Sequence, residues 1–175
     1  MAESKKTVTV TLEVREIVFD IQNKTFLTGR TREAENTKNY EAASQMQVSD
    51  DNEYSYQIRR SISNTFASLK TELAEYLDES ETSTDNLLES TIDADGQLRI
   101  SLKMPSNYNL ASADNLGAGL HQYIVNKTIA DWFFITNKAD AEDYVKLSAQ
   151  ALETARRALF KRQRPVRPTF NTDTE

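Results

Sequence analysis

The sequence predicts a mainly helical fold: a bundle of about four helices, a small antiparallel β-hairpin or sheet, and an extended C-terminal tail. Three observations predict it. Only four Gly and three Pro punctuate 175 residues, which favours helices over turn-rich β architecture. One stretch alternates with a period of two, and a second does so after an Asp-Gly turn signal. Elsewhere the apolar residues recur at steps of three and four.

In TVTVTLEV, residues 7–14, Val8, Val10, Leu12 and Val14 share one face while Thr7, Thr9, Thr11 and Glu13 share the other, as in a half-buried strand. From Arg15 the period changes. Ile17, Val18, Ile21 and Thr25 fall at helical spacing, and Gly29 is the expected stop. Residues 31–52 are polar and read as a loop or weak helix. Tyr54, Ile58, Ile62, Thr65, Leu69, Leu73 and Tyr76 then form the clearest amphipathic stripe. It leads into an acidic linker, LDESETSTD. Nine acids and no basic residue lie between Lys70 and Arg99, so this stretch must be solvated or face cations.

NLLESTIDADGQLRISLKMP reads as a hairpin turning at Asp95-Gly96, where glycine tolerates positive φ. Leu98, Ile100, Leu102 and Met104 point one way; Gln97, Arg99, Ser101 and Lys103 point the other. A lone hairpin is marginal, so the 7–14 strand is expected to join it or helices to cover it. A helix starting near Ser112 or Asp114 carries Leu116, Leu120, Tyr123, Ile124, Trp132 and Phe133 on more than one side, which predicts burial around much of its circumference. Asn137 is the expected cap of the last helix, 138–163, with Asp140, Glu142 and Asp143 near its start and Arg156, Arg157, Lys161 and Arg162 near its end, both matched to the helix dipole. The expected division is one domain over 5–163, with the hairpin near 87–104, and a basic, proline-containing tail over 164–175.

Several chemistries find no support. The chain has no cysteine, hence no disulfide, thiolate nucleophile or thiolate zinc site. His121 is the only histidine and reads as structural. TIDADGQ places Thr91 and Leu102 at the first and twelfth positions of a calcium loop, where Leu102 cannot replace the needed glutamate. Gly117 and Gly119 lack the third glycine and leading strand of a dinucleotide fingerprint, and read instead as a close-approach point for a helix or subunit. Asn23-Lys24-Thr25 and Asn126-Lys127-Thr128 are formal sequons. No signal peptide or long apolar run is visible, so the expectation is a soluble, non-enzymatic protein without cofactor or metal, acting inside a cell or in an assembly built there.

The charge distribution carries the functional signal. Fifteen of the 21 Lys and Arg but 25 of the 27 acids lie in residues 1–153, a net −10. Residues 154–172 hold the other six cations and no acid. The helix dipole accounts for some of these, but not for Arg164 and Arg167, because Pro165 and Pro168 stop the helix. A polyproline II path puts Arg164 and Arg167 on one face, with Phe170 as an apolar anchor. The candidate partner-binding set is therefore Arg156, Arg157, Lys161, Arg162, Arg164, Pro165, Arg167, Pro168 and Phe170. Three readings stand open for it: a solvated tail, docking on an acidic protein groove, and binding to nucleic-acid phosphates. Six charges are a small footprint for DNA, and protein docking is preferred.

VREIVFDIQNKTFLTGRTREAEN, with Lys24, Thr25, Phe26, Thr28, Gly29 and Arg30 as matching residues, resembles small neck and tail proteins of tailed phages infecting Bacteroides-type gut hosts, crAss-like phages included. The later order of long helix, hairpin, two helices and basic end is similar across most of the chain. The resemblance implies a virion protein: a head–tail connector subunit in a homo-oligomeric ring beneath the portal. Its C-terminal extension would reach the portal or an adjoining neck ring, and genomic DNA would pass through the channel without specific binding. An acidic surface would then act as a repulsive wall along which DNA slides. The alternatives are a small nucleic-acid-binding regulator using the basic C-terminus, and a tail-completion or assembly factor.

Overall fold

The helix that the sequence marks as apolar on several sides is the axis of the molecule. A computed structural model describes residues 5–35, 44–48, 52–83 and 95–165. In chain order these form β1 (Lys6–Glu13), α1 (Val14–Glu35), α2 (Asn52–Glu72), β2 (Gln97–Met104), a short 3-10 turn (Leu110–Ser112), α3 (Ala113–Thr136) and α4 (Lys138–Leu159). α3 packs against α1, α2, α4 and β1. Leu116, Leu120, Ile124, Val125, Ile129 and Phe133 are fully buried on it, each such side chain contributing about 1.5–3 kcal/mol of transfer free energy. The chain folds as mainly α with a small antiparallel sheet, as the sequence predicts.

α4 returns along α3 as an αα-hairpin. Asn137 caps it as expected, its side-chain oxygen accepting from the Ala139 amide at 3.2 Å. Closest approach falls at Gly119, where a Cβ would stand 2.9 Å from the Ala155 backbone nitrogen; at Gly117 it would meet only the Val10 Cγ1 methyl at 3.6 Å. The glycine pair thus serves one helix crossing within the chain, through Gly119. α4 ends at Leu159, four residues before the expected end at 163. Beyond it the Lys161 carbonyl accepts from the Asn109 amide at 3.1 Å and the Gln163 amide donates to the Asn107 carbonyl at 2.7 Å. Pairing with the 107–109 loop replaces helical bonds ahead of Pro165, whose ring disfavours helix in the residue before it.

The sheet joins segments far apart in sequence. β1 and β2 are antiparallel, with Lys6 opposite Met104, Val10 opposite Ile100 and Glu13 opposite Gln97. Val8, Val10, Leu12, Leu98, Ile100, Leu102 and Met104 are buried on one face. Among the described residues β2 therefore pairs with the N-terminal strand rather than across Asp95-Gly96, and no glycine has positive φ. The first arm of the expected hairpin, 87–94, lies outside the described residues. β1 pairs over eight residues with Val8, Val10 and Leu12 forming its apolar face, and the Val14 amide extends the ladder to the Gly96 carbonyl at 3.0 Å.

The acidic linker covers the other edge of β2. Asp78 and Ser83 donate backbone amides to the Ser101 and Arg99 carbonyls at 2.8 and 2.9 Å, and the Lys103 amide donates to the Tyr76 carbonyl at 2.7 Å. Ser101, expected on the open face, is consequently buried, its amide donating to Thr82 Oγ1 at 3.1 Å. Its acids do face cations in part: Lys103 Nζ lies 3.0 Å from Asp78.

One further expectation needs correction. α1 runs through Gly29 to Glu35, because contacts on both sides of the glycine hold it: Thr28 meets the Tyr144 hydroxyl at 3.1 Å, and Arg32 pairs with buried Asp140. Those contacts outweigh the roughly 1 kcal/mol that an interior glycine costs a helix. Within 31–52, the described residues 44–48 dock on the core, where the Met46 carbonyl accepts from Trp132 Nε1 at 2.9 Å.

Candidate docking surfaces

The basic end begins where α4 gives way to the paired segment 161–163, and the structure divides its charges. Arg156 is engaged with Glu72 of α2, and Arg157 Nε with Glu153 at 3.0 Å. Arg162 turns back to the Leu159 carbonyl at 2.7 Å. Lys161, Arg164 and Pro165 are exposed at the point of exit. Arg167, Pro168 and Phe170 lie outside the described residues. Three of the six cations are thus spent on their own subunit, each exposed pair contributing about 0.2–1 kcal/mol.

An aromatic partner of this end was not singled out from sequence. Phe160 is 58% exposed yet sits edge-on to Tyr76, ring centroids 6.2 Å apart. Its position directly after the last helical turn and before Lys161 was the available signal.

α1 presents a second surface. Its inner face buries Ile17, Ile21 and Thr25, while Phe19, Phe26 and Leu27 remain 61%, 43% and 52% exposed on the outer side. Arg30 lies over the Phe26 ring at 5.7 Å, a contact contributing about 0.5–1 kcal/mol at an exposed site. A depression of about 510 Å³ beside Phe19 is lined by Arg15, Glu16, Val18 and Gln22. The signal is in the sequence: residues 19, 26 and 27 add a second apolar stripe opposite the first. A third apolar exposure, Phe134 and Ile135, lies at the C-terminal end of α3.

The polar clusters are structural in character. His121 Nε2 lies 2.9 Å from Asp20 Oδ2, tying α3 to α1. Beside it Lys24 Nζ donates to Gln122 and Asn126 at 2.9 and 3.2 Å, and burial pushes its ammonium below its ordinary value, against the pull of Asp20. In a cleft of about 380 Å³ between α2 and α3, Asp131 is engaged by Ser61 at 2.7 Å and Lys127 at 3.5 Å. Among the described residues no group of three His, Cys, Asp or Glu side chains is placed to hold a metal ion, and no helix is long and apolar enough to cross a membrane. The calcium-loop reading at 91–102 falls partly outside the described residues.

Comparison with protein-family models, curated proteins and solved structures finds no match to this chain.

Proposed function

We propose that this protein is a structural subunit of a phage head–tail connector, a ring beneath the portal that joins capsid to tail around the DNA channel. Its C-terminal segment docks on the adjacent ring. The carrying observation is the form of the exit: the backbone leaves α4 already extended, held at 161–163 against the 107–109 loop, with Lys161, Arg164 and Pro165 presented outward. A segment stiffened in this way loses little conformational entropy when it docks. The exposed apolar stripe of α1 and the exposed end of α3 lie on different elements, and a ring of head-to-tail contacts requires two different faces per subunit.

Engagement of Arg156, Arg157 and Arg162 within the fold favours this reading over nucleic-acid binding, which would need those cations free to neutralise phosphates. The test is to delete 164–175 and measure attachment to the portal ring by cosedimentation. The truncated protein should keep its fold and lose attachment; attachment at wild-type level overturns the docking role. Affinity for duplex DNA that falls steeply with salt would instead support the regulator, and absence from purified virions the assembly factor.

A further inference from the structure

In an antiparallel ladder, residues alternately turn both backbone groups toward the partner strand and both away. The backbone groups of Arg99, Ser101 and Lys103 turn toward segment 76–83. Those of Leu98, Ile100 and Leu102 therefore turn toward β1, and so do those of their partners Leu12, Val10 and Val8. Thr7, Thr9, Thr11 and Glu13 are left pointing their amides and carbonyls to the opposite side. Among the described residues nothing pairs with that edge: the sheet has two strands, and no backbone hydrogen bond from another segment reaches these four residues. All four side chains are exposed. Alternating Thr and Val without Pro or Gly makes an edge of high β-propensity, the kind that folded proteins cover or disrupt.

We propose that this edge pairs with the same edge of a second copy of the chain, antiparallel and centred on Thr9. Outward-turned groups meet only where odd-numbered residues face odd-numbered residues. Centring on Thr9 sets Thr9 against its twin, Thr7 against Thr11 and Lys5 against Glu13, the last two each occurring twice by symmetry. Lys5 and Glu13 are both exposed, and Glu13 is oriented by a 2.6 Å hydrogen bond from Gln97 Nε2. Threonine pairs and opposite charges are favourable cross-strand neighbours. A slip of two residues one way sets Lys5 against Arg15; the other way sets Lys5 against Thr11 and separates Glu13 from its cation. The five facing pairs exchange about ten backbone hydrogen bonds, two for each pair.

The basic tail of a neighbour is a poorer occupant. Pro165 and Pro168 are three apart, so either alternate set of its residues would present a proline lacking an amide to β1. Because one edge meets itself, the contact closes at two subunits. It is distinct from the repeating contact of a ring, and it describes the free protein, whose exposed edge it covers.

Thr9→Pro is the sharp probe, since the Thr9 amide points outward and its loss breaks no bond within the subunit. Sedimentation equilibrium of the full chain should give twice 19.9 kDa for wild type and the single-chain mass for Thr9→Pro, with unchanged circular dichroism. Lys5→Glu should also fall to the single-chain mass, and Lys5→Glu with Glu13→Lys should return to the dimer. Wild type at the single-chain mass throughout, or any wild-type species whose mass Thr9→Pro leaves unchanged, overturns the proposal. Should the proline variant misfold, the charge pair decides: failure of the double reversal to restore the dimer overturns it.

Discussion

Replacing Gly119 with alanine adds one methyl group at the tightest point of the α3–α4 crossing. The new Cβ would stand 2.9 Å from the Ala155 nitrogen, 3.0 Å from its Cβ and 3.1 Å from its Cα. Two of these neighbours are backbone, so no side-chain rotation relieves the clash, and α4 must move away by about 0.5 Å or more to restore ordinary carbon contact distances. Forcing extra volume into a packed interior costs about 1–3 kcal/mol, while removing an interior helical glycine returns about 1 kcal/mol. The net expectation is a loss of up to about 2 kcal/mol. Gly117→Ala is the internal control, because its Cβ would meet only the Val10 methyl at 3.6 Å. There the propensity gain stands alone, and stability should rise by up to about 1 kcal/mol. Urea unfolding of both variants, followed by circular dichroism with a common slope, measures the difference directly. Gly119→Ala as stable as Gly117→Ala, or more stable than wild type, would refute the crossing geometry.

Other perturbations probe the remaining contacts. Arg32→Ala leaves the Asp140 carboxylate, 7% exposed, without its guanidinium and beside the Asn137 side-chain amide at 2.6 Å; about 1–2 kcal/mol should be lost, discounted for the half-exposed arginine, and Arg32→Ala with Asp140→Asn should recover part of it in a double-mutant cycle. Trp132→Phe removes the donor to the Met46 carbonyl, costing about 1–3 kcal/mol, and amide exchange over 44–48 should accelerate. Hydrogen bonds from Ser80, then the neighbouring Lys103, hold the Asp78 carboxyl below its ordinary value of 3.8. A depressed folded value means that this stabilisation is present above the unfolded value and is lost as pH falls through the folded one. Lys103→Met should raise the Asp78 midpoint in a carboxyl-carbon NMR titration; an unchanged or lower midpoint contradicts the assignment.

Periodicity made most elements legible. Val8, Val10 and Leu12, the Ile58–Leu73 stripe and the many-sided helix all lie where their spacing puts them, because burial of one face is a local property of the pattern. The strand partner was less legible: an Asp-Gly turn favours a local hairpin, whereas the register of β1 with β2 depends on a fit between segments some ninety residues apart. Gly29 misled for a related reason, since Arg32 and Thr28 find their partners on α4 rather than nearby in the chain. At the basic end, composition identified the charges but could not reveal that Glu72 and Glu153 already engage two of them. The outer stripe of α1, Phe19, Phe26 and Leu27, is less legible because the inner period of Ile17, Ile21 and Thr25 already accounts for a helix with one buried face.

The attachment of residues 161–163 to the 107–109 loop has a mechanical consequence. Tension applied to the chain end would first load the two backbone hydrogen bonds at Asn107 and Asn109, and through them the turn that leads into α3. The pull would thus be distributed into the centre of the molecule before the last turn of α4 could unwind, much as a cable clamped to a frame spares the fitting at its end.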